Sequence, residues 1–384
     1  MLYENTLLKI KIIIYYIKSI FLHQQAIIKL KKYRKQLELN KKIYQENTNN
    51  CTLIENSSVP SVNKPWVLFN YSYKNNDFNV DNFSCNLGDY IQTIATKKIL
   101  NKIGYNNHLF HDRDNLVDIF NSNIIMQGWF AHSINFIPNK TNTPIFIGTH
   151  FTKNIQAYFD KIEKYKNIFP FKGVDIGCRD LFTLQYLKSK KQKGIDINPY
   201  LSRCLTLTLP KRNEQKKYDK IFFVDLTDDI LKYIPKNIQE KGITVQQKEV
   251  FDGKYDLEKN WNFYYQKAEK LLNLYKNEAK LVITTALHCA SPCIAMGIPT
   301  ILISNNKEEQ MTRFSALDGI VTIYTLDDIK NRQINFYPEI PHIEDLKHYM
   351  LKNLELSILK TMGKEVNEQE LAYIRNIIET WKSN

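Results

Sequence analysis

Glycine and proline are scarce in this 384-residue chain, twelve of each, which excludes collagen-like, linker-dominated and low-complexity architectures. Cysteine is sparser still. Cys51, Cys85, Cys178, Cys204, Cys289 and Cys293 form no CxxC pair and no regular spacing, so neither a zinc site nor a disulfide framework is indicated. Several lie inside apolar runs, where a free thiol behaves as a small hydrophobe, and this points to a reducing compartment. There is no GxGxxG after the first strand-like run, no phosphate-binding P-loop and no HExxH, which argues against a dinucleotide cofactor, a P-loop nucleotide site and a zincin site. No uninterrupted apolar run reaches the roughly 20 residues of a bilayer span. No 20–50-residue repeat is visible. The body also lacks a stripe of Lys and Arg interleaved with aromatics, so nucleic acid is not an expected partner.

What is present is an ordinary globular composition with an uneven charge. The formal net charge is +13. Residues 1–50 hold ten Lys or Arg against three Glu, a net of +7, which leaves +6 for the other 334 residues. Residues 7–46 alternate apolar clusters with basic residues. Lys18 interrupts what would be a span, and no small-residue cleavage site follows the apolar run. The segment reads equally as a basic amphipathic helix on an anionic leaflet and as a helix packed on protein. Five regions follow: a basic helical segment (1–46), a polar linker (47–64), an N-terminal Rossmann-like domain (65–212), a second such domain (213–340) and C-terminal helices (341–384).

The organising stretch is Ala279 to Ser304. Leu281–Ile283 reads as a strand buried on both faces, a small-residue helix runs from about Cys289 to Met296, Gly297 stops it and Pro299 opens a strand through Ile303. Strand, polar turn, helix and strand make a βαβ unit whose ligands sit at the carboxyl ends of strands. His288 falls at that edge, beside a helix N-terminus that favours anions. The bland reading of His288 is a satisfied core histidine.

Upstream, Trp66–Tyr71 is the expected first strand. Asn86, Gly88, Asp89 and Gln92 then open a helix, with Gly88 allowing close approach and Asp89 as the capping side chain. Asn123–Trp129 and Pro144–Gly148 are further strands, each followed by a histidine, His132 and His150. Arg179 and Asp180 sit between a short strand and a helix, where a guanidinium suits a carboxylate or phosphate. Cys204–Leu209 alternates like a strand, Lys220–Asp225 is a strand with an acidic end, and Ile320–Tyr324 is the last strand. Arg313 faces the same general region as His288. Asp112, Arg113 and Asp114 match an Asp-x-Asp metal pattern, but a polar setting favours a solvated charged loop.

Together these segments resemble the polysaccharide pyruvyl transferase family. The matching stretches are 86–95, 128–132, 176–187, 204–210, 281–302 and 312–319, covering roughly residues 65–330. The resemblance implies an α/β protein with two Rossmann-like domains facing a cleft, similar to GT-B glycosyltransferases. It implies phosphoenolpyruvate as donor substrate, no cofactor and no metal, and a glycan acceptor that receives the pyruvate as a ketal in surface or exopolysaccharide biosynthesis. Lipid-linked acceptors would give residues 7–46 a peripheral membrane role; the expected location is cytoplasmic, with membrane association as a further expectation.

By position, Arg179 resembles the family's donor-binding arginine, and Leu287 and His288 the last two residues of its arginine-leucine-histidine motif. The motif's arginine is Ala286 here, so Arg313, Arg203 or a lysine must take its part, or the donor differs. The implied roles are His288 as general acid or phosphate ligand, titrating near neutrality, and His150 as base on the acceptor hydroxyl. Arg179, Leu287, Arg313 and Cys289 fall to the donor, and Asn86, Gly88, Asp89, Gln92 and His132 to the acceptor. A nucleotide-sugar glycosyltransferase and a catalytically inactive scaffold are the alternatives.

Overall fold

The computed structural model describes residues 64–78, 84–166, 169–213, 215–250, 259–304, 306 and 312–383. The basic segment 1–46 and the linker up to residue 63 lie outside them. All of the described residues belong to one compact unit. Its strands are β1 (Trp66–Asn70), β2 (Ser84–Asn86), β3 (His108–Asp112), β4 (Asn123–Ile125), β5 (Gly128–Phe130), β6 (Thr143–Phe151), β7 (Val174–Cys178), β8 (Ile197–Leu201), β9 (Lys220–Val224), β10 (Gly242–Val245), β11 (Lys248–Val250), β12 (Ala279–Thr284), β13 (Thr300–Ser304) and β14 (Ile323–Thr325). The longer helices are α1 (Leu87–Lys102), α2 (Lys153–Lys166), α3 (Leu181–Gln192), α4 (Trp261–Glu278), α5 (Leu287–Ala295), α6 (Glu344–Thr361) and α7 (Glu368–Thr380).

The fold is mixed α/β, built on two parallel sheets. The first runs β3-β1-β4-β6-β7-β8, with β5 extending the pairing along β6; the second runs β10-β9-β12-β13-β14. All pairings within these two sheets are parallel. Covered parallel strands must be apolar on both sides, and β1 (WVLFN) and β13 (TILIS) are buried at every position. In each sheet the second strand in sequence pairs on one side of the first and all later strands on the other. The strand order therefore reverses between β1 and β4 and between β9 and β12. Such switch points open a crevice outside the carboxyl ends of the strands.

Helix α1 is buried around most of its circumference, from Leu87 to Thr96 and at Ile99 and Leu100, as expected of a core helix rather than a surface one. It packs on β1, α4 and α5. A two-stranded antiparallel ribbon, β2 with β11, ties its entry to the segment after β10. Helices α6 and α7 fold back over both sheets. Arg375 Nη1 reaches Asp175 of β7 at 2.8 Å, and the Lys347 ammonium donates to the Ala295 carbonyl of α5 at 2.6 Å.

Five local expectations are corrected. Asn86, not Asp89, caps α1: its carboxamide oxygen accepts from the Gly88 N–H at 3.0 Å, while Asp89 is already in the first turn. Cys204–Leu209 is not a strand but a 3₁₀ turn over Leu205–Thr208. It is buried throughout, so its alternation of Leu and Thr reflects two buried sides, with Thr206 bonded to Ser291 at 2.6 Å. Arg113 and Asp114 are both 0% exposed rather than a solvated loop. The run Asn123–Trp129 is broken into β4 and β5, and the last strand begins at Ile323. Among the described residues no helix is long and apolar enough to cross a membrane.

Candidate functional site

The crevice of the second sheet is open. A pocket of about 340 Å³ lies outside the ends of β9 and β12, lined by Asn86, Asp225, Leu226, Thr227, Gln246, Gln247, Lys248, Thr285, Ala286, Leu287, His288 and Arg313. Each arrives for a local reason. Asp225–Thr227 are the first residues past β9, and Thr285 and Ala286 are the turn between β12 and α5. His288 is in the first turn of that helix. Asn86 comes from the cap of α1, brought in by the ribbon. The expected strand, turn, helix and strand over 279–304 are all present, and Gly297 ends α5 at φ 71°, a conformation glycine adopts without strain.

Gly88 explains how close the two helix entries come. A side chain there would place its Cβ 2.9 Å from His288 Cβ and 2.5 Å from Gln247 Nε2. Both are below contact distance, so only glycine lets α1 approach His288.

His288 is 4% exposed and its Nε2 has no hydrogen-bond partner. Arg179 is 1% exposed and its Nη1 likewise has none. Its Nε donates to Asp180 Oδ2 at 3.3 Å. Asp180 caps α3 through the Thr183 N–H at 3.0 Å and holds His150 Nδ1 at 2.5 Å. The carboxylate thus orients both a guanidinium and an imidazole. Buried polar groups are nearly always satisfied, so two unpartnered nitrogens in one electrostatic neighbourhood make this a candidate ligand site.

Burial pushes the His288 imidazole well below its ordinary range, and the charges of Arg179, Arg313 and His150 push it further. The imidazole is therefore neutral at neutral pH, which corrects the expectation that it titrates there. His150 is held down by burial, against the pull of Asp180. Burial would raise Asp180, but His150 and Arg179 keep it below the usual carboxylate range. The dyad is therefore a carboxylate with a neutral imidazole.

A stability consequence follows. Unfolded histidines protonate near 6.5 while these two resist, so the unfolded chain binds more protons as pH falls below that value. Folding stability is expected to drop between pH 7 and 5, by up to about 1.4 kcal/mol per pH unit for each histidine. Denaturant midpoints across that range measure it. A His150→Gln, His288→Gln double variant should flatten the slope; an unaltered slope rejects the assignment.

The crevice of the first sheet is filled by the chain itself. Arg113, just past β3, lies with its Nη2 2.9 Å from Asp114 Oδ2 and 2.8 Å from His132 Nδ1, and its Nη1 3.8 Å from Asp89 Oδ2. Its guanidinium stacks on Tyr71, 4.9 Å from the ring centre. Tyr71 and Tyr73, just past β1, bond to the carbonyl and carboxylate of Asp89 at 2.8 and 3.3 Å. Burial would raise Asp114, yet Arg113 and His132 hold it low.

The residues singled out from sequence are thus divided. His288, Leu287, Arg313 and Asn86 line the pocket, and Gly88 lies against it. Arg179 and His150 act on His288 electrostatically. Asp89 and His132 belong to the Arg113 cluster, with Gln92 bonded to Asp89 at 3.2 Å. Cys289 is fully buried in the core. Arg203 donates to the carbonyls of Ala316, Asp318, Ile378 and Trp381. Arg313 is thus the arginine that lines the pocket alongside Ala286. Asp225, Thr285 and Gln247 line the pocket but were not among the site residues expected from the sequence. Only the acidic strand end at Asp225 gave a signal; Gln247 gave none.

Comparison with known proteins places these features in a family. The family model described as polysaccharide pyruvyl transferase matches residues 86–307, a span holding Asn86, Gly88, His150, Arg179, Asp225, Gln247 and His288. No curated protein matches. Among solved structures, a functionally uncharacterized protein from Klebsiella pneumoniae subsp. pneumoniae NTUH-K2044 is similar at 16% identity and a TM-score of 0.38, over 68% of this chain and 92% of that one.

Proposed function

The chain belongs to the polysaccharide pyruvyl transferase family, and from that premise we propose that it moves the pyruvyl group of phosphoenolpyruvate onto a hydroxyl pair of a glycan sugar, closing a cyclic ketal. Membership makes it a transferase of the pyruvyl transferase type. The donor, the ketal and the roles below are our reading. We read the two sheets as Rossmann-like lobes in a GT-B-like arrangement, with the donor on the second. The reaction would serve surface glycan assembly on the cytoplasmic side, on an acceptor that is lipid-linked.

The observation that carries this reading is the pair of buried nitrogens, Arg179 Nη1 and His288 Nε2, left without partners, with His288 lining the same pocket as Arg313. An enol phosphate with a carboxylate is an anion made only of acceptors at neutral pH. Arg179 clamps it, and Arg313 takes the part of the arginine that Ala286 lacks. Ketal formation releases two hydroxyl protons: one goes to the methylene carbon, which becomes a methyl group, and one leaves with phosphate. His288 becomes a competent acid only once the anion offsets the positive charge around it. The Nδ1 of His150 is held by Asp180, which leaves Nε2 to take a hydroxyl proton.

Ala286 also favours a second reading, a nucleotide-sugar glycosyltransferase. Incubation with phosphoenolpyruvate or with nucleotide sugars, and a panel of glycans, separates the two. The expected product gains pyruvic acid less one water, which brings a new carboxylate, with release of phosphate. A hexose gain from a nucleotide sugar, with none from phosphoenolpyruvate, rejects the proposal.

A further inference from the structure

Gln247 is 2% exposed, lines the pocket, and its Oε1 is buried without a hydrogen-bond partner. Its backbone cannot turn to relieve this. The N–H donates to Asp225 Oδ1 at 2.8 Å, and the carbonyl accepts from the Leu87 N–H at 3.0 Å. Asp225 is held just as firmly. It sits at φ 53° directly past β9, a strained backbone for a residue other than glycine. Its carbonyl accepts from Thr285 Oγ1 at 2.8 Å. The Gln247 and Lys248 N–H groups donate to its Oδ1 at 2.8 and 3.5 Å, and Asp225 lines the pocket.

Two acceptors, joined through the Gln247 N–H to Asp225 Oδ1 bond, therefore line the same pocket as Arg313 and His288. An ionised phosphoenolpyruvate has no O–H or N–H and cannot bond to them. We propose that Asp225 Oδ2 and Gln247 Oε1 form a subsite for the two adjacent hydroxyls of a sugar, each accepting one hydroxyl hydrogen, and that this pair, not Asp89, Gln92 and His132, recognises the acceptor. The inference rests on the pyruvyl transfer reading and names the subsite for its second substrate. Spacing supports it. Gln247 Nε2 and His288 Cβ both lie within 3 Å of the point where a Gly88 Cβ would stand, so the hydroxyl subsite adjoins the histidine. Burial raises the Asp225 carboxyl, which makes its anion a stronger hydrogen-bond acceptor.

The test is direct binding of methyl glucopyranoside, galactopyranoside and mannopyranoside to the full chain by saturation-transfer NMR, beside calorimetry with phosphoenolpyruvate. The variants are Gln247→Leu, which removes the acceptor at similar size, and Asp225→Asn, which tolerates positive φ and keeps the Oδ1 contacts. At least one sugar is expected to bind the natural chain and to bind each variant about tenfold more weakly, the loss typical of one such hydrogen bond. Affinity for phosphoenolpyruvate should stay within about twofold. Sugar binding that is unchanged in both variants, or absent from the natural chain, overturns the subsite. Sugar binding that behaves as expected while phosphoenolpyruvate does not bind instead strikes the donor reading and leaves the subsite standing.

Discussion

Replacing His288 by glutamine is expected to lower turnover with phosphoenolpyruvate by roughly 10²–10⁴, the usual contribution of a positioned acid or base, while folding and donor affinity change little. Glutamine matches the imidazole closely enough to keep the contact with Gly88. The more telling measurement is proton uptake. The His288 imidazole is held neutral by burial and by the charges of Arg179, Arg313 and His150. A bound anion offsets those charges, so its pKa rises and binding takes up a proton. Calorimetry in buffers of different ionisation enthalpy should therefore give enthalpies that vary with buffer at pH 7, and His288→Gln should remove most of that variation. Turnover retained in the variant, with the buffer dependence intact, would exclude His288 as the proton donor.

The second large effect belongs to Arg179. Arg179→Met should weaken phosphoenolpyruvate binding about 10–100-fold, as expected for losing charge-assisted hydrogen bonds worth roughly 1.5–3 kcal/mol. It should do so without unfolding the chain. A buried guanidinium with an unpartnered Nη1 carries a desolvation cost that its one bond to Asp180 only partly offsets, and methionine fills similar space without one. Asp180 keeps His150 and the Thr183 N–H as partners. Stability should hold or rise while binding falls, the opposite of what a purely structural arginine would give. The variant also removes one of the charges that depress His288, so the alkaline limb of its pH–rate profile, where the acid loses its proton, should move upward. A variant that loses stability and donor affinity in parallel would assign Arg179 to the fold instead.

The two sheets differ in what fills their switch points. In the first, Arg113 occupies the crevice, gripped by Asp89, Asp114 and His132. In the second, the equivalent space is open and lined by side chains with missing partners. The same topology thus builds a rigid buttress under α1 in one place and a binding pocket in the other. Asp89 of the buttress and Gly88 at the pocket are consecutive residues, so the ion cluster fixes the helix entry that meets His288.

Sequence alone determined what depends on local pattern. Apolar runs with a polar end gave the strands from Trp66, Val174, Lys220 and Thr300, because a parallel strand covered on both faces leaves no room for polar side chains. Short-range geometry put His288 at a strand-to-helix turn and Arg179 before α3, and the family resemblance rested on such segments. Tertiary structure alone decided which of these residues meet. His132 and His150 look alike as histidines past a strand, yet one is locked against Arg113 and the other is aimed by Asp180. Cys204–Leu209 alternates like a strand but is a buried turn, since period-two alternation records sidedness and not hydrogen bonding. Gln247 is an unremarkable glutamine until the pairing of β2 with β11, more than 150 residues apart in the chain, buries it beside Gly88. A pocket at a switch point is made from chain segments that only the strand order brings together, and strand order is a long-range property that no local window contains.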